Sequence, residues 1–191
     1  MSKILILIIF LSFNKITSQE IIGIDDTYIE NNLVYKISND SLFNGIAQRK
    51  RRNGHLVFET KFKKGIIISS KIYYNGKIKR VSNKTIYNSE KPYLKSKEYK
   101  YNLESEIFET TTYNENGEKI LLEQFKKGKL TYSCEYLGKK KHGIELGYEE
   151  NGEKLTYSCE YKNGKKHGEE LCIKCGDKKR VTKYENGKKI K

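Results

Sequence analysis

The sequence predicts an all-β fold, an elongated antiparallel β-meander of repeated hairpins. Three observations predict it. Glycines recur at Gly45, Gly54, Gly65 and Gly76, then at Gly117, Gly128, Gly138, Gly152, Gly164, Gly176 and Gly187, mostly 9 to 12 residues apart. They sit in polar turns such as YYNGK, NENGEK, EENGEK, YKNGKK and YENGKK, where glycine supplies the positive φ of a tight hairpin. Between turns, apolar and polar residues alternate, as in Leu155-Thr156-Tyr157-Ser158-Cys159-Glu160-Tyr161, the period of a half-buried strand. Finally, the heptapeptide LTYSCEY is written twice, at residues 130–136 and 155–161, each copy followed by a lysine-rich stretch ending in His-Gly. A 25-residue period holds two strands and two turns, so each unit reads as one hairpin stacked edge to edge on the last.

The elements follow in chain order. Residues 1–18, MSKILILIIFLSFNKITS, carry an early Lys3, a short apolar run at 4–13 and small polar residues. The run is too short to span a bilayer and reads as a secretory signal peptide cleaved near Ser18 and Gln19; left uncleaved, it would serve as an anchor. No cysteine lies near the cut for a lipid anchor. Removing this segment takes away Lys3 and Lys15 and lowers the net charge from +14 to +12. An exported protein, periplasmic, envelope-bound or extracellular, is expected. Residues 19–39 read as one or more lead-in strands, and residues 40–191 as the repeat array. Within the array, 82–112 is degenerate, with few turn glycines but alternation at Ile107-Phe108-Glu109-Thr110-Thr111-Thr112-Tyr113. A longer loop is expected at Pro92, because proline interrupts a ladder. Tryptophan is absent and tyrosine occurs 15 times, which suits a thin aromatic layer better than a thick aliphatic core.

In the repeat, Leu130, Tyr132, Cys134 and Tyr136 share a face, as do Leu155, Tyr157, Cys159 and Tyr161. Truncating Tyr157 would cost about 3–5 kcal/mol if it is fully packed. YKNGKKHG, YLGKKKHG, YENGKK and SLFNGIAQRKRRNGHLVFETKFKKG resemble MORN repeats (membrane occupation and recognition nexus), and more narrowly the variant repeats of the bacterial YwqK-type antitoxin family. The likeness covers residues 40–191 with gaps, with Tyr or Phe where MORN units usually carry Trp. It implies a β-hairpin array and a toxin-neutralising role. With a signal peptide ahead of the array, the toxin would act in the envelope.

The residues that could carry chemistry are few. No Ser/His/Asp set, paired-carboxylate site or phosphate loop stands out, and no catalysis or cofactor is expected. His142 and His167 recur in KKHG and read as part of the repeat's turn; His55 is isolated. Export would expose four cysteines, Cys134, Cys159, Cys172 and Cys175, to an oxidising compartment. Cys134 and Cys159 lie two strands apart, about 9.6 Å and too far for a disulfide. An odd offset sends Cys172 and Cys175 to opposite faces, and parity puts Cys159 and Cys175 on one face as a diagonal candidate bridge. CIKCGDK also resembles half of a zinc knuckle, but Cys134 is too distant to complete it, and small buried thiols are the simpler reading.

Successive turns of a meander fall on alternate edges. The turns at Gly138, Gly164 and Gly187 therefore share one edge, which gathers Lys139, Lys140, Lys141, Lys165, Lys166, Lys188 and Lys189. The other edge gathers Glu149, Glu150, Glu153 and Asp177. A basic ladder of this kind steers an acidic partner, although turn lysines also serve as plain solvating charge. The expected function is a non-catalytic protein-interaction module whose partner is a protein such as a toxin. The alternative is an envelope protein binding anionic lipid or glycan through the same edge. The run QRKRRNG at 48–54 is a second basic cluster, and nucleic acid is not an expected partner of an exported chain.

Overall fold

The computed structural model describes residues 19–174 and 178–190; the expected signal peptide lies outside them. The fold is all-β. The strands are β1 (Glu20–Gly23), β2 (Thr27–Glu30), β3 (Leu33–Lys36), β4 (Gly45–Lys50), β5 (Leu56–Lys63), β6 (Ile66–Tyr73), β7 (Val81–Tyr87) and β8 (Lys95–Tyr101). They continue as β9 (Ile107–Tyr113), β10 (Lys119–Lys126), β11 (Lys129–Leu137), β12 (Lys140–Tyr148), β13 (Leu155–Lys162), β14 (Lys165–Lys174), β15 (Lys178–Glu185) and β16 (Lys188–Ile190). From β4 to β16 each strand pairs antiparallel with the next in sequence. At about 4.8 Å per strand, a sheet of 14 strands extends roughly 60 Å along its hydrogen-bonding direction. No helix among the described residues is long and apolar enough to cross a membrane.

The lead-in region departs from a simple meander. β1 pairs with β4 in parallel, and the hairpin β2–β3 forms its own two-stranded sheet. This hairpin and Phe43 cover one face of β4–β6. Val34, Phe43, Ala47, Phe62 and Ile67 form an apolar cluster there, with Ile22, Ile24, Tyr87 and Tyr93 packed against it. Backbone bonds tie the cap to the sheet: Val34 N–H donates to Gly65 O and Gly65 N–H to Phe43 O. The stretch of weak repeats is built as β7, β8 and β9, and residues 88–94 form the connection that contains Pro92.

Beyond the cap the sheet has one layer, and the register explains how it still buries side chains. One cross-strand row runs the length of a single face. It reads Ile22, Ala47, Thr60, Ser70, Thr85, Glu98, Thr111, Leu122, Cys134, Glu145, Cys159, Glu170 and Thr182. Most of these residues are short, and from Cys134 to Thr182 every one is buried. Tall neighbours wall them in: Tyr132, Tyr157, Tyr136, Tyr161 and Tyr184 stand in the flanking rows, which is the aromatic layer the composition suggested. Of the faces expected for the two LTYSCEY copies, the Tyr and Cys positions match, since Tyr132 and Tyr157 both pair with Gly147, and Cys134 and Cys159 both pair with Glu145; a register shift separates Leu130 and Leu155 from them. Tyr157 itself is only half-buried, so it falls short of full packing.

Candidate functional site

The lysine edge is built by two-residue turns. Asn163–Gly164 and Asn186–Gly187 have positive φ at both positions (54° and 85°, 52° and 88°), the type I′ geometry that matches strand twist. The turns stack on one another. Gly164 N–H donates to Lys141 O and Gly187 N–H to Lys166 O, each at 2.8 Å. The turn of one strand pair is thereby bonded to the strand that precedes the pair, β12 or β14, so the rungs of this edge are fixed by backbone as well as by sheet pairing.

KKHG lies in the strand, contrary to the expectation that it forms the turn. The turn after β11 is Gly138 and Lys139, and β12 begins at Lys140. The register then slips: Tyr136 faces Lys141 while Cys134 faces Glu145. His142, Gly143 and Ile144 therefore oppose the single residue Glu135, a bulge. Gly143 has φ +88°, and a Cβ there would come within 2.0 Å of Glu135 Oε2. Glu135 Oε2 accepts from Ile144 N–H at 2.7 Å, closing the bulge. The next unit repeats it, with His167, Gly168 and Glu169 opposite Glu160 and Gly168 at φ +75°. His142 Nδ1 lies 3.5 Å from Asn163 N–H, and His167 Nδ1 is buried with no protein partner.

The bulge divides the seven lysines. Lys139, Lys140, Lys165, Lys188 and Lys189 are exposed on the edge, with no acidic partner among the described residues. Lys141 and Lys166 are not edge residues: they lie half-buried across the tyrosine face. Lys141 Nζ pairs with Glu145 and sits 6.0 and 5.1 Å from the ring centres of Tyr132 and Tyr161. Lys166 pairs with Glu170 and sits 6.0 and 5.1 Å from Tyr157 and Tyr184. In each strand the bulge brings the carboxylate four residues on under the second lysine, Glu145 under Lys141 and Glu170 under Lys166.

This face has a consistent electrostatic logic. Burial pushes the Glu145 carboxyl up, but hydrogen bonds from Lys141, Tyr132 and Tyr161 outweigh it and hold the group below the usual carboxylate range. Lys166 is the largest influence on Glu170 and lowers it likewise against burial. Burial and the bond to Glu145 push the Tyr132 hydroxyl up, and Tyr136 is raised to about 12, first by burial. Burial also raises the Cys134 and Cys159 thiols. Protonated thiols in this setting act as small apolar groups.

The cysteine register differs from the parity argument. The two-residue turn at Asn163–Gly164 gives each odd-numbered residue of β13 an even-numbered partner on β14. Tyr157 thus pairs with Cys172, and Cys172, expected on the other face, lies on that of Cys159. Cys134, Cys159 and Cys172 are free thiols; Cys175, and with it the candidate bridge and the zinc-knuckle reading of CIKCGDK, lies outside the described residues. Among the described residues no group of three or more His, Cys, Asp or Glu side chains is placed to hold a metal ion. On the opposite edge, Glu150 pairs with Lys126, and Asp177 is outside the described residues.

No protein-family model matches this chain, and no curated protein matches it. Among solved structures it is similar to the crystal structure of the S. aureus TarM G117R mutant in complex with Fondaparinux, alpha-GlcNAc-glycerol and UDP, at 11% identity and a TM-score of 0.36. The match covers 61% of this chain and 21% of that one, so this chain spans about a fifth of the length of the protein it matches. At that level of likeness neither activity nor ligand carries over.

Proposed function

We propose that this chain is an exported, non-catalytic repeat protein that binds an acidic protein partner along its lysine edge. The observation that carries the proposal is the stacked turns, with Lys139, Lys140, Lys165, Lys188 and Lys189 exposed on a backbone-bonded scaffold and without an acidic partner among the described residues. Such an edge presents positive charge at fixed spacing, which raises association rate and selects orientation. The resemblance of the repeat to MORN and YwqK-type units supports an immunity-like role, with a toxin acting in the envelope as the partner. The apolar, lysine-led N-terminal sequence supports export.

The test captures partners from the native envelope with wild type and with Lys140→Glu/Lys165→Glu/Lys188→Glu, then follows binding kinetics at several ionic strengths. The triple variant should keep its fold, because exposed substitutions shift stability by less than about 0.5 kcal/mol. It should lose association rate, and the loss should shrink as salt shortens the Debye length below about 8 Å. Glu150→Lys/Glu153→Lys on the opposite edge should bind as well as wild type or better. Equal behaviour of the two variants would reduce the ladder to solubilising charge. Salt-sensitive binding to anionic vesicles with no protein captured would replace the proposal with a lipid-binding role.

A further inference from the structure

A second basic site lies on the opposite edge, near the cap. The connections β4–β5 and β6–β7 are neighbouring rungs there, about 9.6 Å apart. A cleft of about 390 Å³ opens between them, lined by Arg51, Asn53 and His55 on one side and Asn75 and Lys77 on the other. The first turn is firmly bonded: Arg51 N–H donates to His55 O at 2.8 Å, Gly54 N–H to Arg51 O at 2.9 Å, and His55 N–H to Asn53 Oδ1 at 3.1 Å. The second is closed by Tyr74 N–H to Arg80 O at 2.9 Å. Gly54 and Gly76 also line the cleft, and a Cβ at either would meet nothing within 4 Å.

The local charge is one-sided. Of the cations here, Arg49 reaches Asp25, and Lys79 lies near Glu59 and over the Tyr73 ring. Lys50, Arg51, Arg52, Lys77 and Arg80 have no acidic partner among the described residues, and no acid occurs in residues 49–55 or 74–80. The next rung along the same edge carries Glu104 and Glu106 instead, so this basic patch ends at the second turn. The side chains of Arg51, Asn53, His55, Asn75 and Lys77 line the cleft, and His55 Nε2 is buried with no protein partner among the described residues.

We infer that the cleft between Arg51 and Lys77 binds the sulfate or phosphate groups of a linear polyanion. Guanidinium and ammonium donors on two rungs match charges spaced along a chain. No Phe, Tyr or Trp ring lines the cleft, so its recognition chemistry is directed at anionic groups rather than at stacked bases. A polar concavity fits a chain that enters it better than a flat lipid surface; the one apolar side chain at this tip is Ile78, 63% exposed. The site is separate from the lysine edge and does not depend on it.

The experiment titrates the full chain with heparin fragments and with inorganic polyphosphate, following backbone amide shifts and affinity across salt. Shifts should centre on residues 51–55 and 74–80. Arg51→Gln/Lys77→Gln should weaken binding by about tenfold or more, and lower the slope of log K against log salt by about 1.5, near 0.7 to 0.9 per contact removed. Preference between the two probes tells which anionic group the cleft takes. The control, Lys140→Gln/Lys165→Gln on the other edge, should stay within about twofold of wild type by the same salt-linked accounting. Three outcomes overturn the inference: equal losses in both variants, shifts spread over the lysine edge, or binding to phosphatidylglycerol vesicles but to neither soluble probe.

Discussion

The two ends of this sheet solve the same burial problem with different chemistry. Around β4–β6, the hairpin β2–β3 and Phe43 add a second layer over an apolar cluster that includes Val34, Phe43, Phe62 and Ile67. Around β11–β15 a second layer is lacking among the described residues, and the buried row is Cys134, Glu145, Cys159, Glu170 and Thr182. A single layer can hide only what its own side chains overarch. Tyrosines and the stems of Lys141 and Lys166 are long enough to do so, as amphipathic chains cover apolar ground while keeping their polar tips satisfied. The carboxylates beneath are tolerable because Lys and Tyr donors meet them, since a buried charge without partners would be expelled. Repetition follows from this, because each unit's tyrosine serves the glutamate of the strand beside it.

The contrast can be sharpened by mutation. Phe43→Ala, at a fully buried site, should cost about 3–5 kcal/mol in denaturant unfolding. Lys141→Met keeps the packed stem but removes the donor over Glu145, and should cost about 1–3 kcal/mol; Lys140→Met, one residue earlier and exposed, should stay within about 0.5 kcal/mol. Equal effects at 140 and 141 would break the distinction between edge and face lysines. Gly143→Ala should cost about 1–2 kcal/mol for its left-handed backbone, with Gly168→Ala alike, and a neutral result at both would remove the bulge from the account.

Acid should separate the two ends as well. The Glu145 and Glu170 carboxyls are lowered in the folded protein. Their contribution is therefore complete above the unfolded value of about 4.3 and is lost as pH falls through the folded value. The apolar cluster beneath the β2–β3 hairpin contains no carboxylate, and Glu59 of β5, held low against burial by Lys71 and Tyr73, lies on the other face. Amides of β12–β14 should lose hydrogen-exchange protection on acidification before those of β4. Simultaneous loss would mean that the ends unfold as one unit.

Much of the fold was legible in the sequence, because alternation and turn glycines are local signals and a meander joins only neighbours. The parallel pairing of β1 and the folding of β2–β3 over the sheet were not, since both are contacts between distant segments. The site was legible in part. The edge shared by Gly138, Gly164 and Gly187 follows from counting turns, and the structure keeps it. Lys141 and Lys166 were misassigned because KKHG looks like turn chemistry. The signal that separates them is the KKHGxE spacing, which sets Lys and Glu four residues apart around a glycine bulge. The face of Cys172 was misread for a related reason, as one residue of turn length inverts every parity downstream.

The central claim is that the uncapped hairpins are held by their tyrosine-walled row of cysteines and glutamates. Residue-resolved hydrogen exchange on the full chain at neutral pH tests it most directly. The account predicts slow exchange through β11–β14, within about an order of magnitude of β4–β6, because ladders at the centre of a cooperative sheet open only with the unit around them. Free exchange in β11–β14 beside a protected β4–β6 would contradict it, and would leave the cap as the sole source of stability.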